Sequence, residues 1–234
     1  MEKDVLIIVP AYNEGKNIEK TIQDIKSNCS YDYLIINDCS TDNTKEICEK
    51  NHFNVVSLPV NYGLTNGIQL GMKYAYKNGY KIVVQFDGDG QHEGKYIETL
   101  VQEIKKENCD IAIGSRFVEQ KKEKTMRMIG SKIISIAIKL TTGKKIKDPT
   151  SGMRAYGKKA IYEFNINENL TPEPDTLVYM LRKKLEVKEF QVTMKEREFG
   201  KSYLTLKKSI EYMLDILFSI IFISTKHDNK KGEK

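Results

Sequence analysis

The sequence predicts an α/β fold, with a mostly parallel, Rossmann-like β-sheet flanked by helices and a C-terminal amphipathic helix. Apolar runs of strand length alternate with segments of helical spacing over the first half of the chain, a pattern typical of repeated strand–helix units. The 234 residues, of which 40% are apolar and 30% charged, suit one soluble domain with a sizeable core.

Five apolar runs predict the strands of this sheet, and they cover residues 5–9, 33–36, 55–58, 81–86 and 110–114. The first run is apolar at every position, as expected of a strand buried on both faces. Helical spacing predicts helices between the strands, over 16–27, up to 49, up to about 78 and over 94–107. Ser40, Thr41 and Asp42 are natural N-caps for the second of these helices.

The chain changes character after the fifth strand. Nine Lys or Arg residues against one Glu occupy 121–147, around an apolar helix predicted over 125–142. A turn-rich loop at 147–154, a helix at 176–185 and a strand that buries Phe190, Val192 and Met194 are expected next.

Helical spacing of apolar residues predicts a second amphipathic helix over 205–223. We expect the charged tail that follows it to be disordered. We therefore divide the chain into a domain at 1–204, a membrane- or partner-facing helix within 205–225 and a tail at 226–234.

The stretch Phe-Asp-Gly-Asp-Gly-Gln-His at 86–92 concentrates the chemistry of the chain. Asp87 and Asp89 leave the end of a buried strand one residue apart, so both can face one point in space. Carboxylates of this kind suit Mg²⁺ or Mn²⁺, and Mg²⁺ is usually bound by one or two carboxylates together with substrate phosphates. The pattern favours a cation that holds a diphosphate, and the alternative is an ordinary Gly/Asp turn.

Other polar residues share the position of these carboxylates, just after a predicted strand. They are Tyr12, Asn13, Glu14, Asp38, Ser115 and Arg116. In parallel sheets ligands bind outside the carboxyl ends of the strands, so we expect these residues to line the same site.

Composition restricts the partners. The net charge of +6 favours anionic partners, but the basic segment is interleaved with aliphatic residues instead of base-stacking aromatics, which argues against nucleic acid. The four cysteines lack the paired spacing of a zinc site and predict a reduced, cytosolic protein. Neither a signal peptide nor a spanning helix is expected, since the apolar stretch at 216–224 has half of the about 20 residues required.

Seven stretches, in order, resemble the family 2 glycosyltransferases, in particular those that load a sugar onto dolichyl or polyprenyl phosphate. They are VPAYNE at 9–14, INDCSTD at 36–42, NYGLTNGIQLG at 61–71, FDGDGQH at 86–92, GSRF at 114–117, DPTSGMR at 148–154 and REFGKS at 197–202. The resemblance implies the GT-A fold and an inverting, metal-dependent transfer from a UDP- or GDP-linked sugar to polyprenyl phosphate.

The resemblance also implies roles for individual residues. The nucleoside would be held by Pro10, Tyr12, Glu14, Asp38 and Asp87. Mg²⁺ or Mn²⁺ would be bound by Asp87, Asp89 and Gln91. Phosphates would be contacted by Arg116 and Arg197, with the segment around Gly200 closing over the donor. Asn37, Thr65 and Asn66 depart from the usual pattern, and the last two would alter the fit around the donor.

Arg127 and Ser131 are spaced i, i+4 in the basic segment, so they share a helix face that suits a lipid phosphate. In the polyprenyl-phosphate enzymes a similar Arg and Ser bind the acceptor, and the alternative is a solvated basic helix. Arg197, with the cation held by Asp89, would neutralise the leaving phosphate, or else be a surface residue.

A phosphate acceptor is already ionised near neutral pH and needs no general base. A sugar hydroxyl would need one, and the candidates are Asp148, Glu173 and Asp175. Asp148 has an alternative as a turn residue before proline, and a supporting role is expected for His92.

The setting of the enzyme leaves alternatives open. The two amphipathic helices could lie on the cytosolic membrane face, or pack against the domain, a second copy of the chain or a small membrane protein. The acceptor could be a glycan hydroxyl in cell-surface polysaccharide synthesis. A catalytically silent nucleotide-sugar-binding or scaffolding subunit is the rival from another class.

Overall fold

The computed structural model describes residues 3–119, 126–195 and 206–226. The strands in these ranges are Val5–Ala11 (β1), Asp32–Asn37 (β2), Val55–Ser57 (β3), Ile82–Gln85 (β4), Ile111–Ser115 (β5), Arg154–Gly157 (β6) and Val187–Gln191 (β7). They form one sheet in the order β3-β2-β1-β4-β6-β5-β7. Only β6 pairs antiparallel, with both of its neighbours, so the mostly parallel sheet is confirmed.

The described helices are Ile18–Asn28 (α1), Thr44–Lys50 (α2), Leu64–Lys77 (α3), Ile97–Lys105 (α4), Met126–Thr142 (α5), Lys158–Ile166 (α6), Pro174–Arg182 (α7) and Leu206–Lys226 (α8). They cover both faces of the sheet. Every residue of β1 is buried, with Leu6 and Ile8 in one apolar layer and Ile7 and Val9 in the other. This alternation explains why the first run is apolar throughout.

Two elements in the second half of the chain escaped prediction. Residue 154, expected at the end of a loop, begins β6, and α6 follows directly. The strand expected to bury Phe190, Val192 and Met194 is wrong in its bounds, because β7 covers Val187–Gln191 and Phe190 is only half-buried. Both strands are short and carry polar residues within the sheet, so apolar alternation does not reveal them.

The predicted caps of α2 are displaced. The helix begins at Thr44, whose N–H donates to the carboxylate of Asp42 (2.9 Å), and Asn43 is the capping position. Ser40 lies outside the helix, where its hydroxyl accepts the N–H of Asn13 (2.9 Å). The residue types expected at a helix start therefore also bind the loop that follows β1.

The C-terminal helix α8 packs against α5 and α7. Its residues Ile216 and Ile220 join the same apolar layer as Ile134 and Ile138 of α5. Among the described helices none has the length and apolar character that crossing a membrane requires.

Candidate active site

The site lies at the carboxyl edge of the sheet, where β1 has β2 on one side and β4 on the other. Two backbone hydrogen bonds join the loops after β4 and β2 to the end of β1, Gly88 N–H to Pro10 O (3.3 Å) and Asp38 N–H to Ala11 O (2.9 Å). A Cβ at position 88 would lie 2.9 Å from Pro10 O, so glycine is required there. The sheet thus brings predicted donor-site residues from three loops to its switch point, where ligands bind in such folds.

Asp38 is buried and accepts two backbone N–H groups, from Tyr62 (2.7 Å) and Gly63 (2.8 Å). Gly63 has φ +85°, a backbone conformation that favours glycine, and immediately precedes α3. The carboxylate therefore fixes the entrance to α3 beside the switch point. Its predicted contact with a nucleoside stays a prediction.

The loop after β1 is stabilised by Asn13, one of the polar residues expected to line the site. Asn13 has φ +56°, and its side-chain oxygen accepts the N–H groups of Thr41 (2.8 Å) and Asp42 (3.3 Å). Asparagine is among the few non-glycine residues that adopt this conformation readily. An asparagine between Tyr12 and Glu14 was therefore the sequence feature that could have indicated this role. Glu14 is buried, and its carboxylate accepts the side-chain amide of Asn17 (2.7 Å).

Asp87 has two oxygens in different surroundings. Oδ2 lies 3.1 Å from Nε2 of His92, whose side chain is only 3% exposed. Oδ1 is buried and accepts no hydrogen bond of regular geometry from the described residues. Burial raises the pKa of Asp87, but the hydrogen bond and charge of His92, a hydrogen bond from the side chain of Gln85 and the charge of Arg154 outweigh it and lower the pKa overall. An ionised oxygen without a hydrogen bond of regular geometry fits a cation ligand.

Asp89 and Gln91 occupy the turn beyond Asp87. The N–H of Gln91 donates to Oδ1 of Asp89 (3.1 Å), and the side-chain amide of Gln91 donates to the carbonyl of Lys195 (3.4 Å). The described part of the chain has no cluster of three or more His, Cys, Asp or Glu side chains that could bind a metal. A cation here would need oxygen atoms from a ligand as well, as Mg²⁺ sites usually do.

Gln91 makes two hydrogen bonds with Lys195. Besides the side-chain contact, the N–H of Lys195 donates to the backbone carbonyl of Gln91 (2.9 Å). Arg197 and Gly200 themselves lie outside the described residues.

Asp148 and Arg116 form a buried ion pair. The guanidinium donates from Nε to Oδ2 and from Nη2 to Oδ1, both at 2.8 Å, and the backbone N–H of Arg116 donates to Oδ2 (3.1 Å). Asp148 is fully buried, whereas the Arg116 side chain is 27% exposed. A carboxylate that accepts three hydrogen bonds is poorly suited to take a proton from a substrate, which favours the structural alternative for Asp148.

Arg154 is a residue for which the sequence predicted no role. It is 1% exposed, and its guanidinium donates to the carbonyls of Ser151 (2.9 Å), Pro172 (2.9 Å) and Pro149 (2.7 Å). The loop that it holds lies against Asp87, because a Cβ at Gly152 would be 2.1 Å from Oδ2. The sequence offered one sign of this role, an arginine next to residues that alternate as in a buried strand. A buried charge needs its own set of hydrogen-bond partners.

The family follows from a comparison with known proteins. The family model "Glycosyl transferase family 2" matches residues 6–164. The chain belongs to glycosyltransferase family 2.

The chain is similar to two named glycosyltransferases. The UDP-N-acetylglucosamine–dolichyl-phosphate N-acetylglucosaminyltransferase of Methanococcus voltae is 29% identical over 180 residues, 68% of this chain and 72% of that protein. The polyprenol monophosphomannose synthase of Mycolicibacterium smegmatis is 24% identical over 225 residues, 90% of this chain and 84% of that protein.

Solved structures share the fold of this glycosyltransferase. Glucosyl-3-phosphoglycerate synthase from Mycobacterium tuberculosis, in complex with Mn²⁺ and UDP-glucose, aligns with a TM-score of 0.68 at 17% identity. The alignment covers 93% of this chain and 79% of that one. The chain is therefore an enzyme of the glycosyltransferase class with the GT-A fold that the resemblance implied.

The glycosyltransferase has two further carboxylates near the site, at the start of α7. Burial raises the pKa of Glu173, which accepts a hydrogen bond from the hydroxyl of Tyr212 in α8. Asp175 accepts the hydroxyl of Ser219, also in α8. Of the three candidate bases, two are thus bound to the C-terminal helix and one to Arg116.

The predicted acceptor residues lie on α5. Ser131 is buried next to Gly130, where α5 meets Met213 of α8 so closely that a Cβ would lie 1.9 Å from its sulfur. The backbone of Arg127 belongs to the first turn of α5, and its side chain lies outside the described residues. Their joint contact with a phosphate stays a prediction.

Proposed function

We propose that this glycosyltransferase moves a sugar, with inversion, from a UDP- or GDP-linked donor to a polyprenyl phosphate with the help of Mg²⁺ or Mn²⁺. The observation that carries the proposal is the buried Oδ1 of Asp87, which accepts no hydrogen bond of regular geometry from the described residues and lies at the switch point of a GT-A sheet, in the same turn as Asp89. The relatives that are named for dolichyl phosphate and polyprenol support the acceptor class.

The donor diphosphate would lie over the turn at 87–91. A divalent cation bound there by Asp87, Asp89 and Gln91 would neutralise charge that develops on the leaving diphosphate. Arg197 would add a positive charge at the leaving diphosphate, and electrostatic stabilisation of this kind is often the largest single contribution to catalysis.

The nucleoside would lie between the loops that follow β1 and β2. It would be oriented by Pro10, Tyr12, Glu14 and Asp38. The hydrogen bonds that Asp38 accepts from the backbone of Tyr62 and Gly63 hold this wall of the donor site, the loop after β2, in place. A rigid wall lowers the entropy cost of holding the donor in a reactive pose.

The acceptor phosphate would approach from α5, with Arg127 and Ser131 as its contacts and Arg116 nearer the donor. A phosphate is ionised near neutral pH and attacks without a general base. The bidentate binding of Asp148 by Arg116 supports such an acceptor, because it removes one of the candidate bases from the chemistry.

The enzyme would work at the cytosolic face of a membrane. Both α5 and α8 bury one face in the domain and expose large apolar residues on the other, namely Ile129, Ile133, Ile136, Leu140, Leu214, Phe218, Ile221 and Phe222. Exposed apolar side chains concentrated on such helices are typical of contact with lipid or with a small membrane protein.

A glycan hydroxyl is the second candidate acceptor. The raised pKa of Glu173 favours it, because a carboxylate with a pKa closer to neutral is a better general base.

A donor panel tests the proposal. The purified enzyme is incubated with UDP- and GDP-linked sugars, Mn²⁺ or Mg²⁺ and a short polyprenyl phosphate, and lipid-linked sugar is measured by mass spectrometry. We expect product with the wild type and with the exposed control Asp215→Ala, and a loss of at least about 100-fold with Asp89→Ala. Product on a soluble glycan alone would establish the second candidate, and equal rates for Asp89→Ala and wild type would overturn the assigned site.

A further inference from the structure

We propose that Arg154 is a positioning residue for Asp87, and that it acts through the loop at 149–152. The inference rests on the proposed function, in which Asp87 contributes an oxygen to the donor site. It assigns a role to a residue outside that site, which neither the donor nor the acceptor would touch.

The guanidinium of Arg154 connects two loops that are distant in sequence. Its Nε and Nη2 bind the carbonyls of Ser151 and Pro149, and its Nη1 binds the carbonyl of Pro172. All three acceptors are backbone atoms, so the contacts define the path of the chain at 149–152. Since Arg154 is almost fully buried, these hydrogen bonds are shielded from competition with water.

The loop held in this way meets Asp87 at Gly152. No side chain fits between them, because a Cβ at 152 would lie 2.1 Å from Oδ2 and 2.9 Å from Cγ of Asp87. On the other side the same oxygen lies 3.1 Å from Nε2 of His92.

Asp87 is thus confined by two neighbours that both lie nearest to Oδ2, which leaves Oδ1 as the oxygen for a ligand. Oδ1 accepts no hydrogen bond of regular geometry from the described part of the chain. A carboxylate that is fixed by packing and hydrogen bonding offers one oxygen to a cation in a constant orientation. Displacement of Gly152 would allow the carboxylate to rotate and would weaken that preference.

Lysine at position 154 tests the role of the guanidinium. Arg154→Lys keeps the charge, but a single ammonium group cannot reproduce a planar fork that reaches three carbonyls. Arg182→Lys makes the same change at an exposed position in α7 and serves as the matched control. The measurement is Mn²⁺ binding in the presence of UDP or GDP, monitored through the EPR signal of unbound Mn²⁺. It is made well below the melting temperature of each variant.

We expect Arg154→Lys to raise the Mn²⁺ concentration for half-saturation by about 10- to 100-fold, as losses of supporting contacts around metal ligands do. Arg182→Lys should bind like the wild type. Leu100→Ala, which opens the core under α4, provides a variant of lower melting temperature that should bind Mn²⁺ normally. If the role of Arg154 were purely structural, Arg154→Lys would melt at a lower temperature but bind Mn²⁺ normally, as Leu100→Ala should.

Gly152→Ala tests the other end of the same contact and is decisive if Arg154→Lys does not fold. We expect it to weaken Mn²⁺ binding by a similar factor, because the added methyl group displaces Asp87. Binding within twofold of wild type in a folded variant would overturn the inference, and so would failure of both variants to fold. Absence of nucleotide-dependent Mn²⁺ binding in the wild type would instead refute the proposed function.

Discussion

The guanidinium of Arg116 and the carboxylate of Asp148 form two parallel hydrogen bonds of 2.8 Å, which join the loop after β5 to the loop before β6. The N–H of Asp148 in turn donates to Glu189 of β7 (2.7 Å). Bidentate pairs of this geometry are among the strongest polar contacts in proteins. The pair holds together strands that are neighbours in the sheet but distant in the chain.

Asp148→Asn should destabilise the enzyme more than it slows the chemistry. The amide can accept only part of the bidentate interaction, and hydrogen bonds to charged groups contribute about 1.5–3 kcal/mol each. Because Arg116 is partly exposed and can be hydrated, we expect the free energy of unfolding in urea to fall by about 2 kcal/mol. Asp215→Asn at an exposed site of α8 is the control. Lost activity at unchanged stability would restore Asp148 as a general base.

Glu173→Gln should remove part of the dependence of stability on pH. Burial raises the pKa of Glu173 above its ordinary 4.5, so the folded protein binds a proton more tightly here than the unfolded chain. Stability from this group is therefore complete below pH 4.5 and is lost as pH rises through the raised value. Glutamine can still accept the hydroxyl of Tyr212.

The measurement is the free energy of unfolding in urea between pH 4 and 8. We expect Glu173→Gln to become more stable relative to the wild type as pH rises, and the exposed Glu46→Gln to show no such trend. A constant difference between Glu173→Gln and wild type across this range would contradict the assigned burial.

The sequence was sufficient to predict the parts of the fold that depend on local periodicity. The all-apolar β1 and the spacing of Ile18, Ile22 and Ile25 in α1 follow directly from burial on one or both faces. The turn at 86–92 was predictable because glycine and aspartate at a strand end favour a turn.

Other parts depend on contacts between distant residues and could not be predicted. The partners of Arg154 are carbonyls at positions 149, 151 and 172, which carry no side-chain signal at all. The antiparallel β6 lies between two parallel neighbours and has only four residues. The pairing of Arg116 with Asp148 spans 32 residues, and either partner alone reads equally well as a ligand contact.

Asp38→Asn should loosen the loop at 61–63. The carboxylate accepts N–H groups on both oxygens, whereas an amide presents only one acceptor and places a donor against the other N–H. We expect the amide that loses its acceptor, at Tyr62 or Gly63, to exchange with deuterium about 10-fold faster or more, since a hydrogen bond to a charged group is worth about 1.5–3 kcal/mol. Asn51→Asp at the end of α2 should leave those amides unchanged. Unaltered protection in Asp38→Asn would refute the anchoring role.

Phe218 and Phe222 stack on each other on the exposed face of α8, with ring centroids 6.2 Å apart. If this face lies on lipid, Phe218→Asp should reduce binding to vesicles of anionic phospholipid by about 10- to 100-fold, since burial of an aromatic side chain contributes about 1.5–3 kcal/mol. Tyr162→Asp removes an exposed aromatic from α6 and should bind like the wild type. Sedimentation with vesicles measures both. Because neither side chain is buried in the domain, melting temperatures should stay within a few degrees of wild type. Equal sedimentation of Phe218→Asp and Tyr162→Asp would indicate that α8 contacts a protein instead.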